Sequence, residues 1–304
     1  MKKIPLGTGL TSAPIALGCM RISGMEQKKA EALIQTALEN GIDLYDHADI
    51  YGGGESERLF GRILKSNPGM RSRMLVQGKC GICKGYYDAS KEHIVSAVDG
   101  ILERLGISEL DLLLLHRPDA LMDPEEVAEA FAQLEKSGKV KHFGVSNQNA
   151  AQLALLDSFM PGKLMANQLQ FGLAHTGPVD TGINVNTLND QAVMRDGSVL
   201  DYCRLHKITI QAWSPFQHGW FEGPFLGSDK YQKLNDLIRS MAEEKGVTDT
   251  AIAVAWIMRH PAKMQTIVGT TNEQRLRDIV KAADVTLTRP EWYSLYLAAG
   301  NPLP

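Results

Sequence analysis

Several features are scarce in this 304-residue chain, and each scarcity excludes something. It has four cysteines, Cys19, Cys80, Cys83 and Cys203, too few for a disulfide-built scaffold and in keeping with a reducing compartment. Cys80-Gly81-Ile82-Cys83 is a lone C-x-x-C without a second Cys or His pair at zinc spacing. No metal site is therefore expected, and the two cysteines read as loop residues beside Lys79. No apolar run approaches the ~18–20 residues of a membrane span. Gly, Thr, Ser and Pro interrupt the chain soon after Met1-Lys2-Lys3-Ile4-Pro5-Leu6, so the unbroken apolar core of a secretion signal is missing. Ala16-Leu17-Gly18-Cys19 has the outline of a lipoprotein cleavage box, yet it reads better as a strand, because cleavage there would remove a core element. An excess of charge of either sign is also lacking. The net charge is −3 and no basic block runs on, which argues against a nucleic-acid partner. The expectation is a cytoplasmic protein with no membrane or nucleic-acid partner. It should be a monomer or weak homo-oligomer, since no extra dimerisation segment is evident.

What is present points to a large folded core. Hydrophobic residues make up 44% of the chain and charged residues 22%, a globular balance. Strand-like segments centre on 15–18, 44–46, 74–79, 112–116, 143–146, 165–168, 208–213 and 266–269. Those near Leu112 and Ile208 are almost continuously apolar, as strands buried on both faces are. Helical periodicity lies between them, through Leu33 to Leu38, Ile94 to Leu105, Val127 to Leu134, Leu234 to Met241 and Leu276 to Ala283. Asp123-Pro124-Glu125-Glu126 predicts a helix start with an N-cap, a proline at N1 and a reciprocal Glu at N3. Eight alternations with no linker predict an α/β fold, one (β/α)8 barrel over residues 1–304, with Met1–Pro14 as a hairpin capping its bottom. A doubly wound sheet would need G-x-G-x-x-G after the first strand, and Gly18-Cys19-Met20-Arg21 does not supply it. Phe171–Ser198 is long, polar and without periodicity, so it reads as a loop hanging over the C-terminal mouth. Thr288–Pro304 is expected to add a terminal helix near that mouth.

Four residues stand at or just past strand C-termini, where barrel enzymes keep their chemistry. They are Asp46, Tyr51, Lys79 and His116. A carboxylate, a phenol, an ammonium and an imidazole at one mouth suit the reduction of a carbonyl, which needs a proton donor of tuned pKa. Tyr51 would be the general acid, with Lys79 lowering its pKa, Asp46 holding Lys79 and His116 orienting the carbonyl oxygen. Taken singly, a buried Asp–Lys pair is often only structural and a Tyr after a strand only an anchor. Their convergence at successive strand ends argues for catalysis. An unrelated metal-dependent isomerase barrel would need several carboxylates or histidines at strand ends, and only Asp46 and His116 qualify.

Asp46-His47-Ala48-Asp49-Ile50-Tyr51-Gly52, Lys79 and His116-Arg117-Pro118 resemble the aldo-keto reductases. So do Gly144-Val145-Ser146-Asn147, Asn167-Gln168 and Ala212-Trp213-Ser214-Pro215-Phe216. The resemblance runs from about Ile15 to Ala283 and is closest to bacterial oxidoreductases of that family. It implies NADPH-dependent reduction of an aldehyde or ketone, with the cofactor held extended and without a Rossmann motif; NADH is a second cofactor to consider. By that analogy Ser146, Asn147 and Gln168 would bond the nicotinamide carboxamide, with Trp213 stacked on its ring. Met20, Arg21 and Asp46 would lie at the nicotinamide end, and Ser214, Pro215 and Phe216 along the pyrophosphate. Gly269, Thr270, Thr271 and Arg275 would hold the far end, where a helix N-terminus suits an anion and Arg275 suits the 2′-phosphate. Core packing is the plainer role for Trp213, and solvated charge for Arg275. Asp278 is a candidate adenine contact. The chain departs from the family in lacking Lys or Arg at Gly269 or Thr271, in Ile279 where Asn is common, and in His47 where Thr is common. An NADPH-binding regulatory or redox-reporting subunit with slow turnover is the rival function. Trp220, Phe221, Tyr86, Tyr87, Met122, Phe171 and His175 are the expected walls of the substrate mouth. Arg117 is expected either to bind an acidic substrate or to pair with Asp119.

Overall fold

The computed structural model describes residues 1–184, 198–219 and 222–301. Its strands are β1 (Ile4–Leu6), β2 (Leu10–Ser12), β3 (Ile15–Gly18), β4 (Leu44–Asp46) and β5 (Leu75–Cys80). They continue with β6 (Leu112–Leu115), β7 (Phe143–Ser146), β8 (Leu164–Gln170), β9 (Thr209–Trp213) and β10 (Gln265–Val268). The helices are α1 (Gln27–Glu39), α2 (Glu55–Ser66), α3 (Lys91–Leu105), α4 (Pro124–Lys136), α5 (Ala150–Phe159) and α6 (Gly177–Ile183). After them come α7 (Val199–Leu205), α8 (Gln232–Lys245), α9 (Asp249–Met258), α10 (Glu273–Val280) and α11 (Arg289–Ala298).

Strands β3 to β10 close into a barrel, each parallel to its neighbours, with β10 returning to β3. The eight expected strands are therefore all present, within about two residues at their ends. Closure follows from the apolar runs. Leu17, Tyr45, Val76, Leu113 and Ile210 pack outward against the helices, while Ala16, Leu44, Leu112, Leu114, Ala166 and Ile267 fill the inside. The antiparallel β1–β2 hairpin plugs the N-terminal end. Leu6 joins the inner cluster, and Gly7 N donates to Thr209 Oγ1 at 2.9 Å.

Helix boundaries follow local chemistry. Ser90 and Asn149 cap α3 and α5, and Thr288 with Glu291 forms a full capping box on α11. At α4 the cap differs from expectation: Asp123 accepts from Glu125 N, one residue earlier than a reciprocal box requires. The segment after β8 is not wholly irregular either. Helix α6 lies inside it, its Asp180 accepting from Tyr296 of α11 at 2.6 Å, while residues 185–197 lie outside the described residues. Helix α9 carries no amphipathic period because it is buried all round, and Trp256 stacks between Phe171 and Trp292.

His47 follows β4 with no exposed surface, its edge on Phe60 at 4.5 Å, and neither ring nitrogen has a partner among the described residues. Burial, helped by the charge of Lys79, pushes its pKa down to about 3. The folded protein keeps this ring neutral, whereas the unfolded chain protonates it below about 6.5. Stability is thus lost as pH falls through that value, by about 1.4 kcal/mol per unit from this group alone. Urea unfolding at pH 7 and pH 5 should show a clear loss, and His47→Leu should reduce that loss by about 2 kcal/mol. An unchanged pH dependence in the variant would show that His47 does not titrate on unfolding.

Candidate active site

The inward-facing positions of β4 and β5 end in ionisable groups. On β5, Gln77 and Lys79 share the inner face, and register pairs Gln77 with Asp46 of β4. Lys79 is fully buried, and its Nζ donates to Asp46 Oδ1 at 2.5 Å. The same oxygen accepts from Gln77 Nε2 at 2.5 Å and from Gln168 Nε2 of β8 at 3.1 Å. Tyr51 follows β4 on a tight turn of three glycines, all at positive φ. A Cβ on Gly52 would lie 2.6 Å from Ser23, so that turn needs glycine for space as well as for backbone angle. The turn lays the Tyr51 ring 5.1 Å from Lys79 Nζ and edge-on to His116, 6.1 Å between ring centroids. His116 stands one residue past β6, its backbone N bonded to Cys80 O. Asp46, Tyr51, Lys79 and His116 thus converge, as expected.

Their electrostatics differ from expectation at one point. Lys79 does pull the Tyr51 phenol down, but burial outweighs it, and the phenol is pushed up to about 12. Burial would likewise lower Lys79, yet Asp46 and Tyr51 together hold it above its ordinary value. Burial, then the charges of Lys79 and Arg117, push His116 down to about 2. The phenol therefore stays protonated and the imidazole neutral near pH 7. His116 Nδ1 has no partner among the described residues, and a proton on Nε2 avoids burying an unpaired N–H there.

Beside these groups lies a polar strip across β7, β8 and β9. Ser146 Oγ donates to Gln168 O at 2.9 Å, and Asn147 Nδ2 donates to Ser146 Oγ at 2.8 Å. Trp213 Nε1 donates to Asn147 Oδ1 at 3.3 Å. Asn147 and Ser214 adopt φ of 58° and 48°, sparsely populated values for non-glycine residues. Trp213 is half-buried, with the Arg117 guanidinium 5.7 Å from its ring, so it is not simply core. Asp119 accepts from Ala89 N and Leu121 N. Pro215 is buried and Phe216 half-buried, while Met20 and Arg21 are exposed at the end of β3. At the far side Gly269, Thr271 and Arg275 are exposed around the start of α10, which Asn272 caps. Arg275 makes no ion pair among the described residues. Asp278 is engaged by Gln274 and Lys281.

Other expectations need revision. Phe171 is 1% exposed and stacks on Trp256 in the cluster between strands and helices, so it belongs to the core rather than the mouth. Trp220 and Phe221 lie outside the described residues. Tyr86 and Tyr87 are exposed on the β5–α3 loop, and Met122 and His175 are half-buried. Cys83, Asp88 and His93 bring ligand-type atoms within 4.8 Å of one another, a grouping the C-x-x-C did not foretell. Cys83 Sγ lies 4.0 Å from Nε2 of His93, and Asp88 Oδ2 lies 3.9 Å from its Nδ1. A groove of about 1180 Å3 lies between α2 and α3, and Tyr51 is not among its lining residues. Its Arg62, Arg71 and Arg104 are paired with Glu55, Asp111 and Glu57.

A family model described as the aldo/keto reductase family matches residues 14–295. The oxidoreductase YcsN of Bacillus subtilis is 34% identical over the whole of both chains. A 6-dehydroglucose reductase of Agrobacterium fabrum is 35% identical over 98% of each. Among solved structures, an aldo/keto reductase of Klebsiella pneumoniae in complex with NADP and acetate has the same fold, at a TM-score of 0.80. It is 23% identical, over 100% of this chain and 97% of that one.

The Asp46–Lys79 pair has no solvent to fall back on. Asp46→Asn should destabilise the protein by about 3–5 kcal/mol, because it strands a buried ammonium. Asp46→Leu with Lys79→Met should cost clearly less than that single change in urea unfolding. Equal losses in the two would mean that the pair is not coupled.

Proposed function

The chain belongs to the aldo/keto reductase family, and on that premise we propose that it reduces an aldehyde or ketone to the alcohol with NADPH. The observation that carries this reading is the contact of Tyr51 with both Lys79 and His116 at one barrel mouth. Bound NADPH supplies the hydride. The chain's own groups handle the proton and the oxygen. Tyr51 donates its phenolic proton to the oxygen as negative charge develops there, and Lys79, held charged by Asp46, stabilises the phenolate left behind. Neutral His116 donates from Nε2 to the same oxygen and orients it. A phenol held up to about 12 is a weak acid in the resting site, so transfer depends on a basic, alkoxide-like acceptor.

The residues present fit the cofactor. Ser146, Asn147 and Gln168 form a ready-made amide-binding strip beside Asp46. Both amide protons of Gln168 are committed, to Asp46 and Gln211, so it meets the carboxamide as an acceptor. Trp213 is fixed by Asn147 as a wall for the ring. A Cβ at Gly269 would meet nothing within 4 Å, which leaves the approach to Thr270, Thr271 and Arg275 open for the adenosine phosphate. Met20 and Arg21 flank the nicotinamide end, and Ser214, Pro215 and Phe216 the pyrophosphate. We read residues 1–304 as one functional unit, a cytoplasmic monomer or weak homo-oligomer acting on a small molecule. Among the described residues no helix is long and apolar enough to cross a membrane.

Turnover of NADPH with a panel of aldehydes and ketones tests the reading. A sugar aldehyde belongs in that panel because a relative is named a 6-dehydroglucose reductase. Tyr51→Phe should abolish reduction while NADPH affinity, read by tryptophan quenching, stays within about threefold. Retained turnover would remove Tyr51 as the acid. Arg275→Ala should weaken NADPH by about tenfold and leave NADH nearly unchanged. Equal weakening of both would remove the 2′-phosphate assignment.

A further inference from the structure

The inside of this barrel holds a layer of amides where branched apolar side chains usually sit. Gln77, Gln168, Gln211 and Gln265 come from β5, β8, β9 and β10, and none is more than 3% exposed. Gln265 Nε2 donates to Ala13 O at 2.7 Å and to Ser12 Oγ at 3.0 Å. Gln211 Nε2 donates to Gln265 Oε1 and Gln77 Oε1, both at 2.8 Å. Gln168 Nε2 donates to Gln211 Oε1 at 3.2 Å and to Asp46 Oδ1 at 3.1 Å, and Gln77 Nε2 donates to that same Asp46 oxygen.

These bonds admit one orientation of each amide. Ala13 O can only accept, so Gln265 must turn its nitrogen toward the hairpin and its oxygen toward Gln211. Gln211 must then present nitrogen to both Gln265 and Gln77. Gln77, whose oxygen is taken, is left with only its nitrogen for Asp46. Flipping any member sets oxygen against oxygen in a dry interior. The hairpin end is itself tied down, since Ser12 Oγ and Ala13 N both donate to Asp43 Oδ1, at 2.7 and 2.8 Å.

We propose that Gln77, oriented through Gln211 and Gln265, is a positioning residue that fixes Asp46 as a pure acceptor and so keeps Lys79 charged beside Tyr51. Amides do not titrate, so the ladder gives Asp46 the same donors at every working pH. The inference rests on the reading of Tyr51 as the proton donor and extends it by naming what holds the site's charge in place.

The test uses Gln77→Met, which keeps the length and removes both polar atoms, and Gln77→Glu, which can turn an acceptor toward Asp46. Gln77→Met should lower kcat by about ten- to a hundred-fold, with KM and NADPH affinity within about twofold. Its solvent deuterium isotope effect on kcat should rise as proton transfer becomes limiting. Gln77→Glu should be worse, and Gln211→Met should move the same readouts by less. Leu112→Val, beside Gln77 in register, is the packing control: it should lower Tm without moving the isotope effect. A Gln77→Met enzyme of wild-type kcat, or one that only loses Tm as the control does, overturns the proposal. A fully active Tyr51→Phe enzyme overturns instead the reading on which it rests. An inactive Tyr51→Phe enzyme beside a normal Gln77→Met enzyme removes the ladder alone.

Discussion

One buried ion pair constrains the rest of this molecule. Lys79 and Asp46 sit inside a closed barrel with almost no exposed surface. Removing two charges from water costs several kcal/mol per ion, and their mutual attraction offsets that only when the remaining donors and acceptors are satisfied. Here Asp46 Oδ1 alone receives three N–H donors. Each donor comes from an inward position, two on β5 and one on β8, so the pair exists only if the strands hold register. A one-residue slip would turn Gln77 and Lys79 into the apolar layer under the helices. Fold and site are thus specified by the same alternation.

The pair also decides where charge resides. Tyr51 is held protonated and His116 neutral, both chiefly by burial, so of the four converging groups only Asp46 and Lys79 carry charge. The phenol and the imidazole, both neutral, then stand beside one ammonium. That arrangement suits negative charge that appears on an oxygen during a reaction and is absent before it, where preorganised donors in a dry site count most.

Much of this was legible in the sequence. Each barrel strand is a short apolar run, and the residues that matter stand where those runs turn polar, so Asp46, Lys79 and His116 could be placed without coordinates. The misreadings share a physical cause, in that burial is not a local property. Helix α9 stands outside the periodic segments because every side of it is covered. Phe171 looked like a mouth residue because a loop follows it, but the chain turns it onto Trp256. The direction of the Tyr51 shift depends on how far desolvation exceeds the pull of Lys79, and no motif encodes that balance. The glutamines in Leu75-Val76-Gln77-Gly78-Lys79, Thr209-Ile210-Gln211-Ala212 and Gln265-Thr266-Ile267 were visible, yet a lone polar residue in a strand ordinarily reads as facing solvent. Their meaning appears only when barrel closure brings the strands together.

That closure raises the question of why a barrel should carry amides in its core at all. Replacing a buried polar network by well-packed apolar residues is often neutral or stabilising, so stability alone does not account for four glutamines. A half-satisfied network is worse than none, which means the set is useful only when complete. What a complete set gives, and apolar packing cannot, is direction. From Ala13 O, the orientation of Gln265, Gln211 and Gln77 follows in turn, and the sequence of forced choices ends with an N–H on Asp46. The hairpin at the closed end of the barrel thereby helps to fix which atom faces the carboxylate at the open end. The cap is then more than a plug: it ends in the acceptor, Ala13 O, from which the polarity of the interior is built.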